Sequence, residues 1–235
     1  MLAKGERPEV SIIIPAFNEE ENIDDVLSRT CKAAESSTLS YEVIFVDDGS
    51  TDKSAEQIRA FGNQIIFLQH EKNQGKGAAI RTGLSRCGGD AVIIQDADLE
   101  YDPGEWTNLL AKFNPPLCPV VYGSRNLKPG RQGYRTFVWG VWFLTKLINL
   151  LRGSKLTDAY TCYKLFDTNL LKSLNLESQG FEFEAEVTMK ILKRGVKIVE
   201  VPIGYVPRKF DEGKKINFWD GWRGIKAILK YNFKD

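Results

Sequence analysis

The chain is predicted to fold as an α/β protein, with a mainly parallel sheet covered by helices on both faces, and three observations carry that expectation. Between residues 10 and 95, short apolar runs alternate with segments that read as helices, the pattern of consecutive βαβ units. The runs are rich in β-branched residues, as buried strands are. Every one of them empties into a polar loop, and the carboxyl ends of such strands are where ligands of parallel sheets sit. The 235 residues, 43% apolar and 27% charged, suffice for a packed core in one large soluble domain or one domain with appendages.

The elements follow in order. Val10–Ile14 is a buried strand ended by Pro15. Asn18 is placed to cap a helix running to about Ala34, with Glu19, Glu20 and Glu21 favourable in its first turn. Tyr41–Val46 is a second strand, ending in Asp47-Asp48 and then Gly49-Ser50-Thr51-Asp52; Ser50 or Thr51 can cap the helix carrying Ala55, Ile58 and Phe61. Ile65–Leu68 is a third strand, after which the glycine-rich Asn73-Gln-Gly-Lys76 turn enters a helix to about Arg86. The fourth strand, Ala91–Ile94, leads into Asp96, Asp98 and Glu100, and Pro103 stops any continuation.

Alternate residues of an extended segment share a face, so these three carboxylates can point the same way. Like charges that close repel unless a cation sits among them, and oxygen-only ligands suit Mg²⁺ or Mn²⁺, which also hold phosphates. The competing account is a solvated acidic loop. Four polar loops converging at one edge of the sheet favour a ligand site over that account.

Several classes are excluded. Gly75-Lys76-Gly77 is neither the dinucleotide fingerprint nor a P-loop, so dehydrogenase and P-loop kinase readings fall. A net charge of +1 gives no global field for nucleic acid. Cys31, Cys87, Cys118 and Cys162 match no metal or redox spacing and read as free thiols of a reducing compartment. The opening MLAKGERPEV lacks the apolar stretch of a signal peptide, so a cytoplasmic location is the expectation.

Ile14-Pro-Ala-Phe-Asn-Glu-Glu20, Val46-Asp-Asp-Gly-Ser-Thr-Asp52, Asn73-Gln-Gly-Lys-Gly77 and Asp96-Ala-Asp-Leu-Glu100 together resemble, in order and spacing, the family 2 glycosyltransferases of the GT-A fold. Within that family the polyprenyl-phosphate sugar synthases, of the mannose or glucose type, are most similar. The resemblance implies a GT-A domain over residues 1–215, with 216–235 as a C-terminal amphipathic helix on the domain or at a membrane surface. It implies that Pro15, Phe17, Glu19, Asp47 and Asp48 hold a nucleotide base and ribose, with Lys76 also among the substrate-binding residues. Asp96, Ala97 and Asp98 would lie along a nucleotide diphosphate, with Asp96, Asp98 and Glu100 as the Mg²⁺ or Mn²⁺ ligands. Two positions depart from the family pattern: Phe17 stands where many members have Tyr, and Glu100 where the mannose synthases have Gln.

In the second half, Val120–Arg125 reads as a strand ending in Gly-Ser-Arg, and Arg125 is suited to grip phosphate oxygens. The apolar stretch 137–151 is interrupted by Lys146 and is short of the ~20 residues a spanning helix needs. It is either an interfacial, partner-facing helix or a core helix. Asp158 resembles the acid set near the acceptor in this family. It would deprotonate the acceptor or position it, or serve the fold alone. Glu182 and Glu186 lie one helical turn apart, and Val196–Pro202 is a late strand. Residues 208–215 resemble the family's basic loop, in which Arg208 and Lys214 would clamp phosphate. The tail carries Trp219, Trp222, Ile225, Ile228 and Leu229 at helical spacing, with Arg223, Lys226 and Lys230 beside them, suited either to a membrane surface or to packing on the domain.

The expected function is inverting, metal-dependent transfer of a hexose from a nucleotide-diphosphate sugar (GDP-mannose or UDP-glucose type) to a polyprenyl phosphate. It involves no nucleic acid and places the enzyme in the cytoplasm, peripherally at the membrane face. The alternatives are transfer to a soluble saccharide, lipid or protein acceptor, and a non-catalytic nucleotide-sugar-binding subunit.

Overall fold

A computed structural model describes residues 8–128, 135–208 and 218–234 of the chain. Seven strands form one sheet in the order β3-β2-β1-β4-β6-β5-β7. These are β1 (Val10–Ala16), β2 (Tyr41–Asp47), β3 (Ile66–Gln69), β4 (Ala91–Ile94), β5 (Val120–Ser124), β6 (Lys164–Asp167) and β7 (Val199–Pro202). β1 pairs in parallel with β2 and β4, and β5 with β7, while β6 runs antiparallel between β4 and β5. The mainly parallel α/β sheet expected from the strand–helix alternation is the sheet observed.

Successive side chains of the central strands divide between two cores, as the period of two requires. Ile12, Ile14, Val43, Phe45 and Ile93 face α1 (Ile23–Ser36), α2 (Ser54–Ala60) and α4 (Trp106–Leu110). Ile13, Ile44, Val46, Val92 and Ile94 face α3 (Lys76–Leu84), α5 (Arg135–Arg152), α6 (Thr168–Ser173), α7 (Phe183–Lys193) and α8 (Phe218–Phe233). Each helix supplies a stripe to its core: Ile23, Val26, Leu27 and Thr30 on α1, and Phe183, Val187 and Ile191 on α7.

Four local expectations are corrected. Pro15 does not end β1, which continues to Ala16 opposite Asp47. The amide of Gln95 donates to the Ile13 carbonyl, so the odd-numbered residues face β4, which has stopped at Ile94, and the missing N–H of Pro15 breaks no ladder bond. Asn18 does not cap α1. It sits at φ 50°, and its side-chain oxygen accepts from the Thr51 amide, which ties the first loop to the second; α1 starts later, behind Asn22. Neither Ser50 nor Thr51 caps α2: the Ser50 hydroxyl accepts from the Asn18 amide, while Asp52 accepts from the Ser54 amide and Glu20 from that of Lys53. The acidic loop is not extended past β4 either. It turns at once, with Leu99 at φ 58°, so the alternation of an extended segment does not govern Asp96, Asp98 and Glu100.

α8 lies against α5 and α7 and buries Ala227, Ile228 and Tyr231 in the same core. α5 buries Leu144 and Ile148 while Trp139, Trp142 and Phe143 stay exposed, so the core and surface readings of this helix each describe one of its sides. No helix among the described residues is long and apolar enough to cross a membrane.

Candidate functional site

The carboxyl ends of β1, β2, β4 and β5, the start of α3 and the segment after β7 meet at one edge of the sheet, and nearly every ionisable side chain there is held by a partner. Asp47 is fully buried; its carboxylate accepts from the Ser50 amide (3.2 Å) and from Gln69 (3.0 Å). Asp48 accepts from the amides of Gln74 (2.9 Å) and Gly75 (2.7 Å) and lies 2.6 Å from His70 Nδ1, whose Nε2 reaches Thr82 at 2.9 Å. Two consecutive acids thus fix the loop after β2 and the turn that enters α3, while Pro15 and Phe17 stay partly exposed.

The glycine-rich turn has a steric cause. Gly75 sits at φ +99°, and a Cβ there would lie 2.5 Å from the Gln179 carbonyl oxygen. At Gly77 a Cβ would lie 2.6 Å from the Ser178 oxygen. Only glycine lets α3 start against the 178–180 loop, where the Ala78 amide donates to Gln179. That start aims Lys76 inward. Its ammonium lies 2.7 Å from Asp96, 3.0 Å from the Cys162 sulfur and 3.5 Å from Glu184, which also binds the buried Lys164. Burial opposes the charges, but their mutual attraction prevails, raising Lys76 well above its ordinary pKa and lowering Asp96. Burial, with Asp96 beside it, drives the Cys162 thiol well above its usual range.

Asp98 differs from its neighbours. Burial, and then the like charges of Asp96 and Glu100, push its carboxyl up to about 8 against the pull of Arg208. Its Oδ1 accepts from the Glu100 amide at 3.2 Å. Glu100 turns the other way and accepts from the Tyr205 hydroxyl (2.9 Å) and the Arg208 amide (2.8 Å). Arg208 spans the opening, donating to the Asp98 carbonyl (2.9 Å) and to Glu19 (2.7 Å). Among the described residues no three Asp, Glu, His or Cys side chains group as an ion cage, so Asp96, Asp98 and Glu100 do not form one together. Lys76 has taken Asp96, and Tyr205 with Arg208 has taken Glu100. Asp98, whose carboxyl burial and its two acidic neighbours keep from ionising, is the feature of this donor set that fits an added divalent cation, with ligand oxygens completing its shell.

Across the pocket, Arg125 and Asp158 form a two-point pair, Nε to Oδ2 at 2.7 Å and Nη2 to Oδ1 at 2.8 Å, with Asp158 wholly buried. Although burial works against the charge on Arg125, Asp158 holds the guanidinium well above its ordinary pKa. The Arg125 guanidinium also lies 5.1 Å from the centre of the Tyr205 ring, which packs in turn on Tyr101. Glu200 of β7 accepts from the amides of Thr157 and Asp158 and fixes this turn from below.

The structure thus brings together Pro15, Phe17, Glu19, Asp47, Asp48, Lys76, Asp96, Ala97, Asp98, Glu100, Arg125, Asp158 and Arg208; Lys214 lies outside the described residues. Glu182 and Glu186 do not face the pocket. Glu182 accepts from the amides of Gln179 and Gly180, and Glu186 from those of Glu177 and Ser178, so both hold the loop against which α3 starts. Glu184, two residues from each, faces inward instead. Glu184, Glu200, Lys164 and Tyr205 went unnoticed in the sequence, because each acts through a chain-distant partner and no local spacing marks it.

The sequence model described as glycosyl transferase family 2 matches residues 11–174. A low-salt glycan biosynthesis hexosyltransferase, Agl6, of Haloferax volcanii is 31% identical over 225 residues, which are 94% of this chain and 53% of that protein, so the chain spans about half the length of this curated relative. Among solved structures, glucosyl-3-phosphoglycerate synthase of Mycobacterium tuberculosis superposes with a TM-score of 0.74 at 23% identity over 96% of this chain and 80% of that one. The same synthase in complex with Mn²⁺, UDP-glucose and phosphoglyceric acid gives 0.73 at 21% identity, again over 96% and 80%. These likenesses agree with the GT-A fold.

Proposed function

Because the chain belongs to glycosyl transferase family 2, we propose that it moves a hexose from a nucleotide-diphosphate sugar, with inversion, to a polyprenyl phosphate. The observation that carries this reading is the Asp98 carboxyl, pushed up to about 8 by burial and by Asp96 and Glu100, at the edge of the sheet where Lys76, Arg125 and Arg208 pair with Asp96, Asp158 and Glu19. Such a site suits a ligand that is itself an anion and brings its own metal.

In this reading the base and ribose lie along Pro15, Phe17 and Glu19, against walls fixed by Asp47 and Asp48. The diphosphate runs along Asp96, Ala97 and Asp98. Asp98 would hold Mg²⁺ or Mn²⁺, with Asp96 and Glu100 close by; when bound, the ion neutralises charge building on the departing diphosphate. Arg208 exchanges its Glu19 partner for a diphosphate oxygen. Lys76, buried and held charged, adds a fixed positive potential from below, of the kind that stabilises developing negative charge.

Asp158 has both oxygens occupied by Arg125, which supports a positioning role. It aims the guanidinium and keeps it charged rather than taking the acceptor's proton. An acceptor phosphate is already anionic and needs no strong base, which agrees with that role. A cleft of about 410 Å³ beside this pair, with Trp142, Val138 and Leu156 as well as Lys146 and Lys155 in its lining, supports an acceptor that is phosphorylated at one end and apolar along its length.

The test is transfer from UDP-glucose and GDP-mannose, with Mn²⁺, to a short polyprenyl phosphate and, separately, to phosphoglyceric acid. The expected product is a polyprenyl-phosphate hexose from one donor, absent with Asp98→Ala. Transfer to the soluble acid alone would move the acceptor assignment. No transfer to either, with nucleotide bound, would favour a subunit that only binds nucleotide sugar.

A further inference from the structure

Eight of the eleven exposed large apolar side chains among the described residues lie on two neighbouring helices. On α5 they are Trp139, Trp142, Phe143 and Leu150, which recur at helical spacing with Lys146 in the same stripe, its ammonium 6.0 Å from the centre of the Trp142 ring. On α8 they are Trp219, Trp222, Leu229 and Phe233, interleaved with the exposed Arg223 and Lys226. Leu144 of α5 lies next to Gly224 of α8, and Arg152 donates to the Tyr231 and Asn232 carbonyls. The two helices therefore run side by side in the same direction, each burying its other face. α5 contains no acid, and the sole acid of α8, Asp220, sits beside Arg223 at 3.4 Å.

We propose that these two stripes seat the protein on an anionic lipid surface. Trp and Phe with interspersed Lys and Arg are the side chains that favour the boundary between headgroups and acyl chains, where an aromatic body is buried and a cationic head meets lipid phosphate. Charge decides between occupants. A second copy would set these cations against the same cations, whereas an anionic leaflet pairs with all of them. The cleft lined by Asn126 and Thr157, the chain neighbours of Arg125 and Asp158, shares Trp142 and Lys146 with this face, so the face adjoins that cleft. The inference does not rest on the acceptor reading, since ordinary phospholipid suffices for it.

The test uses vesicles of phosphatidylcholine alone or mixed with phosphatidylglycerol, both free of polyprenyl phosphate. The full chain is expected to sediment with the mixed vesicles. Brominated acyl chains should quench most of its tryptophan emission, since Trp106 alone of the five tryptophans is buried. Trp139→Ser with Trp222→Ser should abolish the quenching, and Arg223→Glu with Lys226→Glu should weaken binding by at least about 25-fold, at about fivefold per basic side chain. Nucleoside diphosphate binding serves as the folding control for both variants. Absence of sedimentation with mixed vesicles would overturn the proposal. So would a lipid-free dimer that dissociates on the same tryptophan substitutions, because a second copy would then cover the face.

Discussion

Replacing Asp98 by Asn should stabilise the metal-free protein while destroying its function. The Asp98 carboxyl is pushed from 3.8 up to about 8, by burial first and then by Asp96 and Glu100. Between those values the folded chain holds a proton that the unfolded chain has released, so the site makes stability fall as pH rises across that window. At pH 7 the displacement spans about three pH units, a ceiling of about 4 kcal/mol at 1.4 kcal/mol per unit; the partial exposure of Asp98 and relaxation of the site bring this to about 2 kcal/mol. Asn cannot ionise and escapes that cost. For a chain of this size it should melt about 4–8 °C higher than wild type at pH 7 and above in chelator, and within about 1 °C of it at pH 4. Added Mn²⁺ with a nucleoside diphosphate should raise the wild-type melting temperature and leave Asp98→Asn unmoved. A variant no more stable than wild type at pH 8 would refute the reasoning, since burial and the neighbouring acids would then not raise Asp98.

Other substitutions probe the rest of the site. Asp158→Ala strips a largely buried guanidinium of its partner and should cost about 3–5 kcal/mol in chemical denaturation, with loss of transfer; Asp158→Asn should keep more of the stability than of the activity. Gly77→Ala drives a Cβ into the Ser178 carbonyl, which is backbone and cannot swing away, so about 2–3 kcal/mol of stability should be lost and Lys76 displaced. Mn²⁺ affinity, measured calorimetrically with nucleoside diphosphate present, should rise about tenfold per pH unit from 6 to 8 and level off above, because Asp98 must release its proton to bind the ion.

The sequence made the first half of the fold legible because there each strand is a short apolar run with a polar terminus, and local pattern and tertiary position agree. β6 is not legible because it is four residues beginning with a lysine, and the carboxylate that answers that charge, Glu184, lies on α7, distant in the chain. The loop termini carry the same lesson. Asn18, Ser50 and Thr51 have the chemistry of helix caps, yet they bond across the first two loops, and Asp52 does both, accepting from the Ser54 and Glu20 amides; no single-segment reading separates those uses. The site residues were recognisable as motifs, but their pairing was not. That Asp96 answers Lys76, Glu100 takes the Tyr205 hydroxyl and the Arg208 amide, and Asp98 is left over depends on a turn at Leu99 that spacing alone does not reveal.

The most direct measurement of the central claim is calorimetric titration of UDP and GDP into wild type and Asp98→Ala, each with and without Mn²⁺. Binding of one nucleotide that requires the metal and vanishes in the variant is the predicted result. Equal binding by both proteins, or binding indifferent to metal, would contradict the assignment of this edge of the sheet as a metal–diphosphate site.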